Sequence, residues 1–127
     1  MRQLGILMML PLLASPTAAR DHDPLAGRIA GVSQQCLSLT RVQGPDIVDA
    51  NTIIYRQNGR RLWVTHPVGP CPSLRPDFST LIVDVTVGNQ ICRNDRFRVR
   101  TPNSIIPGPF CRFGVFTPYD KAPPARQ

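Results

Sequence analysis

The sequence contains no glutamate and a single lysine, Lys121, beside 14 arginines and 8 aspartates in 127 residues. Glutamate and lysine ordinarily fill exposed helix faces, so their near absence, together with 14 prolines and 9 glycines, argues against a helical bundle. A paired-carboxylate glycosidase site would have to be built from aspartate alone. No Gly-x-Ser-x-Gly or His-Glu-x-x-His motif occurs, and no two of the four cysteines have the Cys-x-x-Cys spacing of a zinc knuckle or a thiol oxidoreductase. Aromatic residues make up only 6% of the chain. That leaves no basic, aromatic-interleaved platform for single strands, and nucleic acid is disfavoured as a partner despite a pI of about 10.3.

What is present begins with a leader. Arg2, the apolar run Leu4 to Leu13 and the small residues Thr17-Ala18-Ala19 read as a signal peptide over residues 1–19, cleaved after Ala19. Its ten apolar residues, interrupted by Gly5 and Pro11, are too few to span a bilayer, and no 18-residue apolar run follows, so no transmembrane segment is expected. A leader of 19 leaves 108 of the 127 residues, enough for one small domain, with 14 basic against 8 acidic side chains for a net charge of +6. A periplasmic or secreted destination follows, and it is oxidising. Cys36, Cys71, Cys92 and Cys111 therefore read as two structural disulfides. Of the three connectivities, the nested one, Cys71 with Cys92 and Cys36 with Cys111, is favoured because it ties the first strand to the last.

Residues 20–35 form an N-terminal segment in which Asp23-Pro24 and the spacing of Leu25, Ile29, Val32 and Cys36 fit a short helix over 24–34, with Gly27 and Gly31 against it. A single β-rich domain is expected over 36–119 and a disordered tail over 120–127. Asn58-Gly59 marks a two-residue hairpin joining Thr52–Gln57 to Arg60–Thr65. That register sets Arg56 against Arg61 and leaves both faces of the ribbon apolar, so both need cover. Gly44-Pro45-Asp46 breaks the strand before it, and the proline-rich stretch 66–79 reads as a surface connection. A second hairpin is expected around Gly88-Asn89 with Cys92 facing inward, then a turn at Asn94-Asp95 and a last strand over Cys111–Thr117. The fold class is thus mainly β: a disulfide-stapled antiparallel sheet or partly open barrel of five to six strands. Tyr55, Trp63, Phe97, Phe113 and Phe116 are expected to be its core.

Cys36, Asp49, Thr52-Ile53-Ile54-Tyr55-Arg56, Trp63-Val64, Cys71-Pro72-Ser73-Leu74-Arg75, Ile91 with Cys92-Arg93-Asn94-Asp95, and Cys111-Arg112-Phe113-Gly114-Val115-Phe116-Thr117-Pro118 carry a resemblance. The chain resembles a family of small secreted proteobacterial proteins of unknown function, with the pattern C, D-x-x-T-I-x-F-R, C-P-x-L, L-C-x-x-D and C-x-x-G-x-F-x-P. Tyr55 and Ile91 depart from that pattern by mild apolar exchanges. The resemblance covers most of residues 36–118 and implies secretion and a shared compact fold. It brings no catalytic residue with it.

Arg96, Arg98 and Arg100 alternate with Phe97 and Val99, so a strand there lines three guanidinium groups along one face, with Arg93 and Arg112 as candidate neighbours. Such a stripe suits phosphate or carboxylate groups, because the planar fork of arginine holds oxyanions through two parallel hydrogen bonds. The plain alternative is a solvated strand face. Arg56 and Arg61 form a second basic pair that needs an aspartate, with Asp84 and Asp95 as candidates, or an anionic ligand to neutralise it. Together these features point to a non-catalytic binding protein for an anionic envelope component or an envelope protein, with no cofactor or metal. Two rivals stand beside it: a small periplasmic hydrolase centred on His66 with Asp49, Asp77 or Asp95, and a periplasmic enzyme inhibitor. Nothing in the pattern specifies an oligomer.

Overall fold

The computed structural model describes residues 23–76 and 79–123, together with Gly5, Pro11 and Ala14. Its largest sheet has five strands in the order β1 (Arg28–Ala30), β10 (Phe116–Lys121), β5 (Arg61–Thr65), β4 (Thr52–Gln57) and β3 (Gln43–Asp49). A two-stranded sheet pairs β2 (Cys36–Ser38) with β7 (Gln90–Cys92), and a three-stranded sheet orders β6 (Thr80–Val83), β8 (Arg96–Arg100) and β9 (Cys111–Arg112). All pairings are antiparallel. The mainly β, disulfide-stapled class is therefore correct. The described residues form ten strands rather than five or six, because prolines and turns cut the chain into short pieces shared among three sheets.

Asn58 and Gly59 both adopt left-handed backbone, φ 55° and 65°, which asparagine and glycine tolerate best. The turn lies where it was expected, but its loop takes in Arg60, so Gln57 pairs with Arg61, Tyr55 with Trp63 and Ile53 with Thr65. A one-residue slip exchanges which side chains share a face. Arg56 accordingly stands across from Leu62, and the expected Arg56–Arg61 juxtaposition does not exist. The ribbon is covered on both sides, as its two apolar faces require. Ile53, Tyr55 and Trp63 enter the main core, while Ile54, Leu62 and Val64 pack with Leu25 and Tyr119 on the reverse.

The main core draws on all three sheets: Leu37 and Ile91 from the smallest, Phe97, Val99 and Cys111 from the three-stranded one, and Phe116 with the ribbon residues from the largest. Phe113 stacks between Phe97 and Phe116, at ring-centroid distances of 4.5 and 5.8 Å. The five aromatic residues expected in the core are all buried there. Full burial of one such side chain is worth about 1.5–3 kcal/mol.

Several local expectations are corrected. No helix forms over 24–34. The amides of Leu25 and Ala26 turn back onto Asp23, Gly27 takes φ 73°, and the chain becomes β1 on the edge beside β10, with Ile29 and Val32 exposed. The nested disulfides are replaced by Cys36–Cys92 and Cys71–Cys111. The reason is pairing: β2 lies against β7 and sets Cys36 opposite Cys92, whereas Cys111 lies on β9, which pairs with β8. The second hairpin shrinks to one bridge, Val87 with Gln90, because β6 pairs with β8 instead. Ile91 rather than Cys92 is the buried residue of β7. Gly44-Pro45-Asp46 bends β3 without ending it, since register shifts on an edge strand absorb the proline. The last strand divides into β9 and β10, and β10 continues through Asp120 and Lys121, which were expected in the tail. The expected signal peptide, apart from Gly5, Pro11 and Ala14, lies outside the described residues, as do Asp77 and residues 124–127. Two disulfides call for an oxidising, extracytoplasmic setting. Among the described residues no helix is long and apolar enough to cross a membrane.

Gly114 links β9 to β10 where the backbone passes directly against the carbonyl of His66, and a Cβ there would collide with that oxygen. Gly114→Ala should cost about 3 kcal/mol in urea unfolding, because the obstruction is backbone rather than a side chain that can turn aside. Peptide mapping without reductant should recover Cys36 linked to Cys92 and Cys71 to Cys111, with no free thiol. Replacing both Cys71 and Cys111 by alanine should cost roughly 4 kcal/mol, the loop-closure entropy of a ring spanning 40 residues.

Candidate functional site

Strand alternation buries Phe97 and Val99, 0% and 1% exposed, and so turns Arg96, Arg98 and Arg100 outward at intervals of about 6.6–6.8 Å. Pairing adds to this row. β9 sets Arg112 directly opposite Arg96, and β6 sets Ile82 opposite Arg98 and Thr80 opposite Arg100. One sheet face thus carries four guanidinium groups. Its acidic partner in the structure is Asp84, 3.6 Å from Arg96, which leaves a net of three positive charges.

These four arginines are not equivalent. Arg98 is half-buried and donates from Nε to the carbonyl of Gly108 at 3.0 Å and from Nη2 to that of Pro107 at 3.3 Å. It therefore positions the 101–110 loop rather than standing open to a ligand. Arg96 and Arg98 flank the ring of Phe110, 4.6 and 4.8 Å from its centroid, a cation–π arrangement. Arg100 and Arg112 are exposed and have no side-chain partner among the described residues. Arg96 and Arg112 face each other as like charges, an arrangement that is destabilising unless an anion lies between them.

Arg56 and Arg61 lie apart from this face, on the largest sheet, and each is already neutralised. Arg56 pairs with Asp46 at 2.6 Å. Arg61 donates from Nε and Nη2 to the two carboxylate oxygens of Asp120 at 2.7 and 2.8 Å, and its guanidinium lies 5.5 Å from the Trp63 ring. The aspartates are thus not those expected: Asp84 serves Arg96, and Asp95 accepts from the Cys92 amide at 2.7 Å to close the turn at Asn94, whose φ is 69°. A surface cleft of about 730 Å³ opens beside Asp120, lined by Arg60, Arg61 and Lys121. Asp120 offsets part of its charge.

His66 is exposed and its Nδ1 donates to the backbone carbonyl of Asn51 at 2.6 Å. Asp49 is engaged by the Asn51 amide at 2.8 Å and Asp95 by that of Cys92. Neither is joined to His66. The neighbouring Thr65 points the other way, into the core, with its hydroxyl unpartnered. No group of three His, Cys, Asp or Glu side chains that could hold a metal occurs among the described residues. Burial in the core, apart from any site, raises the Tyr55 phenol above its ordinary value.

Of the two neighbours expected for the row, Arg112 joins it across β9, whereas Arg93 extends the smallest sheet, its amide donating to the Gln35 carbonyl. Phe110, the ring between two arginines, was not foreseen, although Phe110 and Arg112 flank the inward Cys111 and must share the outward face.

The paired hydrogen bonds from Arg61 hold the Asp120 carboxyl below the usual carboxylate range. A carboxyl depressed in the folded state stabilises at pH above its unfolded value and loses that contribution as pH falls through the folded one. Thermal melting should therefore show Asp120→Asn less stable than the natural chain above about pH 5, with the gap closing in stronger acid. A gap that persists unchanged at low pH would mean that packing, not charge, joins β10 to β5 there.

Comparison with known proteins finds no matching family model, no matching curated protein and no matching solved structure, so the chemistry of the chain itself carries the reading of its site.

Proposed function

We propose that this chain is a non-catalytic binding protein of the periplasm or the extracellular space, and that it holds an anionic component of the envelope on the outer face of the β6–β8–β9 sheet. The observation that carries the reading is the set of four outward arginines beside a single aspartate, two of them without a partner among the described residues. Such a face attracts phosphate or carboxylate groups at long range and can hold them bidentately at contact. The leader and the two disulfides support an extracytoplasmic location. A hydrolase at His66 has less support, because the one bond its ring makes in the structure is to a backbone carbonyl rather than to a carboxylate. No observation favours an enzyme inhibitor.

Inorganic polyphosphate is a suitable probe, titrated at several salt concentrations. The natural chain should bind it, with affinity falling as salt rises through physiological strength. Arg100→Ala combined with Arg112→Ala should weaken binding about tenfold or more and flatten the salt dependence, at about 1 kcal/mol per arginine. Folding should change by no more than about 0.5 kcal/mol, since both side chains are exposed. Absence of binding at low salt, or binding indifferent to salt, would count against the arginine face as a site.

A further inference from the structure

The loop that leaves β8 and returns to β9 carries the most exposed large apolar side chain of the described residues. Ile105 is 93% exposed, and Ile106 beside it 74%. They are held outward by an ordered loop. The Ser104 amide donates to the Thr101 carbonyl, while its hydroxyl donates to the Ile106 carbonyl at 3.0 Å and accepts from the Ile106 amide at 3.3 Å. At the return arm, the Gly108 amide donates to the Val99 carbonyl at 2.9 Å and Arg98 grips the carbonyls of Pro107 and Gly108. Pro102, Pro107 and Pro109 fix φ at three further points. The loop is thereby anchored to the arginine face itself, with the half-exposed Phe110 ring between Arg96 and Arg98 at the junction.

We propose that Ile105 and Ile106 enter the acyl region of an anionic lipid bilayer while Arg96, Arg100 and Arg112 meet its phosphate headgroups, so that the bound envelope component is the membrane surface. The inference rests on the arginine face being an anion site and adds the identity of the anion's carrier. Charge complementarity selects the occupant. A second copy of this chain would set arginine against arginine, which like charges oppose. An acidic protein would satisfy the arginines but would need a preformed cavity to receive two isoleucines on a projecting tip, whereas fluid acyl chains close around any convex apolar group. Phe110 has the interfacial preference of an aromatic ring, and long arginine side chains reach from an apolar boundary to headgroup level. A tip of two residues cannot anchor a protein alone, so the cations and the isoleucines are both required, as in other two-signal membrane attachments.

The test uses the secreted chain with both disulfides formed, sedimented with vesicles of equal parts phosphatidylglycerol and phosphatidylcholine, and with vesicles of phosphatidylcholine alone. The natural chain should sediment with the anionic vesicles and stay in solution with the neutral ones. Ile105→Ser with Ile106→Ser should weaken vesicle binding about tenfold or more, while polyphosphate binding stays within about twofold. In the Ile105→Trp variant, brominated acyl chains should quench the introduced indole, with Trp63, buried in the core, as an unquenched background. Vesicle binding unaltered by the serine pair, or an indole that brominated chains do not reach, overturns the proposal. So does polyphosphate binding without vesicle binding, which leaves the arginine face standing as a site for a soluble or protein-borne anion. Loss of both removes the arginine face and the lipid reading together. Concentration-dependent self-association abolished by the serine pair, in a chain that ignores vesicles, assigns the tip to a second copy and also overturns it.

Discussion

Phe97, Phe113 and Phe116 stand in a row at the meeting point of two sheets, and the fold depends on that row being dry. Neither the two-stranded nor the three-stranded sheet has enough surface to be stable by itself, and small sheets of this kind hold together only when one face is buried against another element. Phe97 supplies the three-stranded sheet, Phe116 the five-stranded one, and Phe113 lies between them on the segment that passes from one to the other. Gly114 follows immediately, and the close approach to the His66 carbonyl is what lets that crossing happen over so short a distance. The disulfides reinforce the same arrangement from its edges. Cys36–Cys92 closes the smallest sheet on itself, and Cys71–Cys111 ties the proline-rich connection to the three-stranded sheet.

Burying Phe97 and Val99 has a consequence on the opposite side of the same strand. A strand that gives alternate residues to the core must present the others to solvent, and here those are arginines. On the largest sheet two arginines are neutralised locally, Arg56 with Asp46 and Arg61 with Asp120. The three-stranded sheet receives one aspartate for four arginines, and one of the four, Arg98, is spent on fixing the neighbouring loop. The unbalanced charge and the ordered loop tip therefore arise from one structural element. That coupling holds the return arm of the isoleucine-bearing loop against the basic face.

Several turn, crossing and cysteine positions have structural work in this chain. Asp49 and Asp95 each accept a backbone amide in a turn, Gly114 permits the close crossing, and the four cysteines form the two bridges.

Local chemistry was legible in the sequence and long-range pairing was not. The β class, the aromatic core, the turns at Asn58-Gly59 and Asn94-Asp95, and the outward row of Arg96, Arg98 and Arg100 all follow from two-residue alternation and from residues that tolerate left-handed backbone, properties read within a few positions of the chain. The strand partners needed more. Whether Val85 continues a hairpin or β6 turns away to pair with β8, whether Cys36 meets Cys92 or Cys111, and whether residues 28–30 form a helical turn or an edge strand depend on which distant segment arrives alongside. The register of the first hairpin was settled the same way, since only a particular pairing puts Tyr55 and Trp63 together in the core and Leu62 with Ile54 behind it. Periodicity determined which face of each strand is apolar. The tertiary structure alone decided what that face meets, because burial in a core shared by three sheets is a property of no single segment.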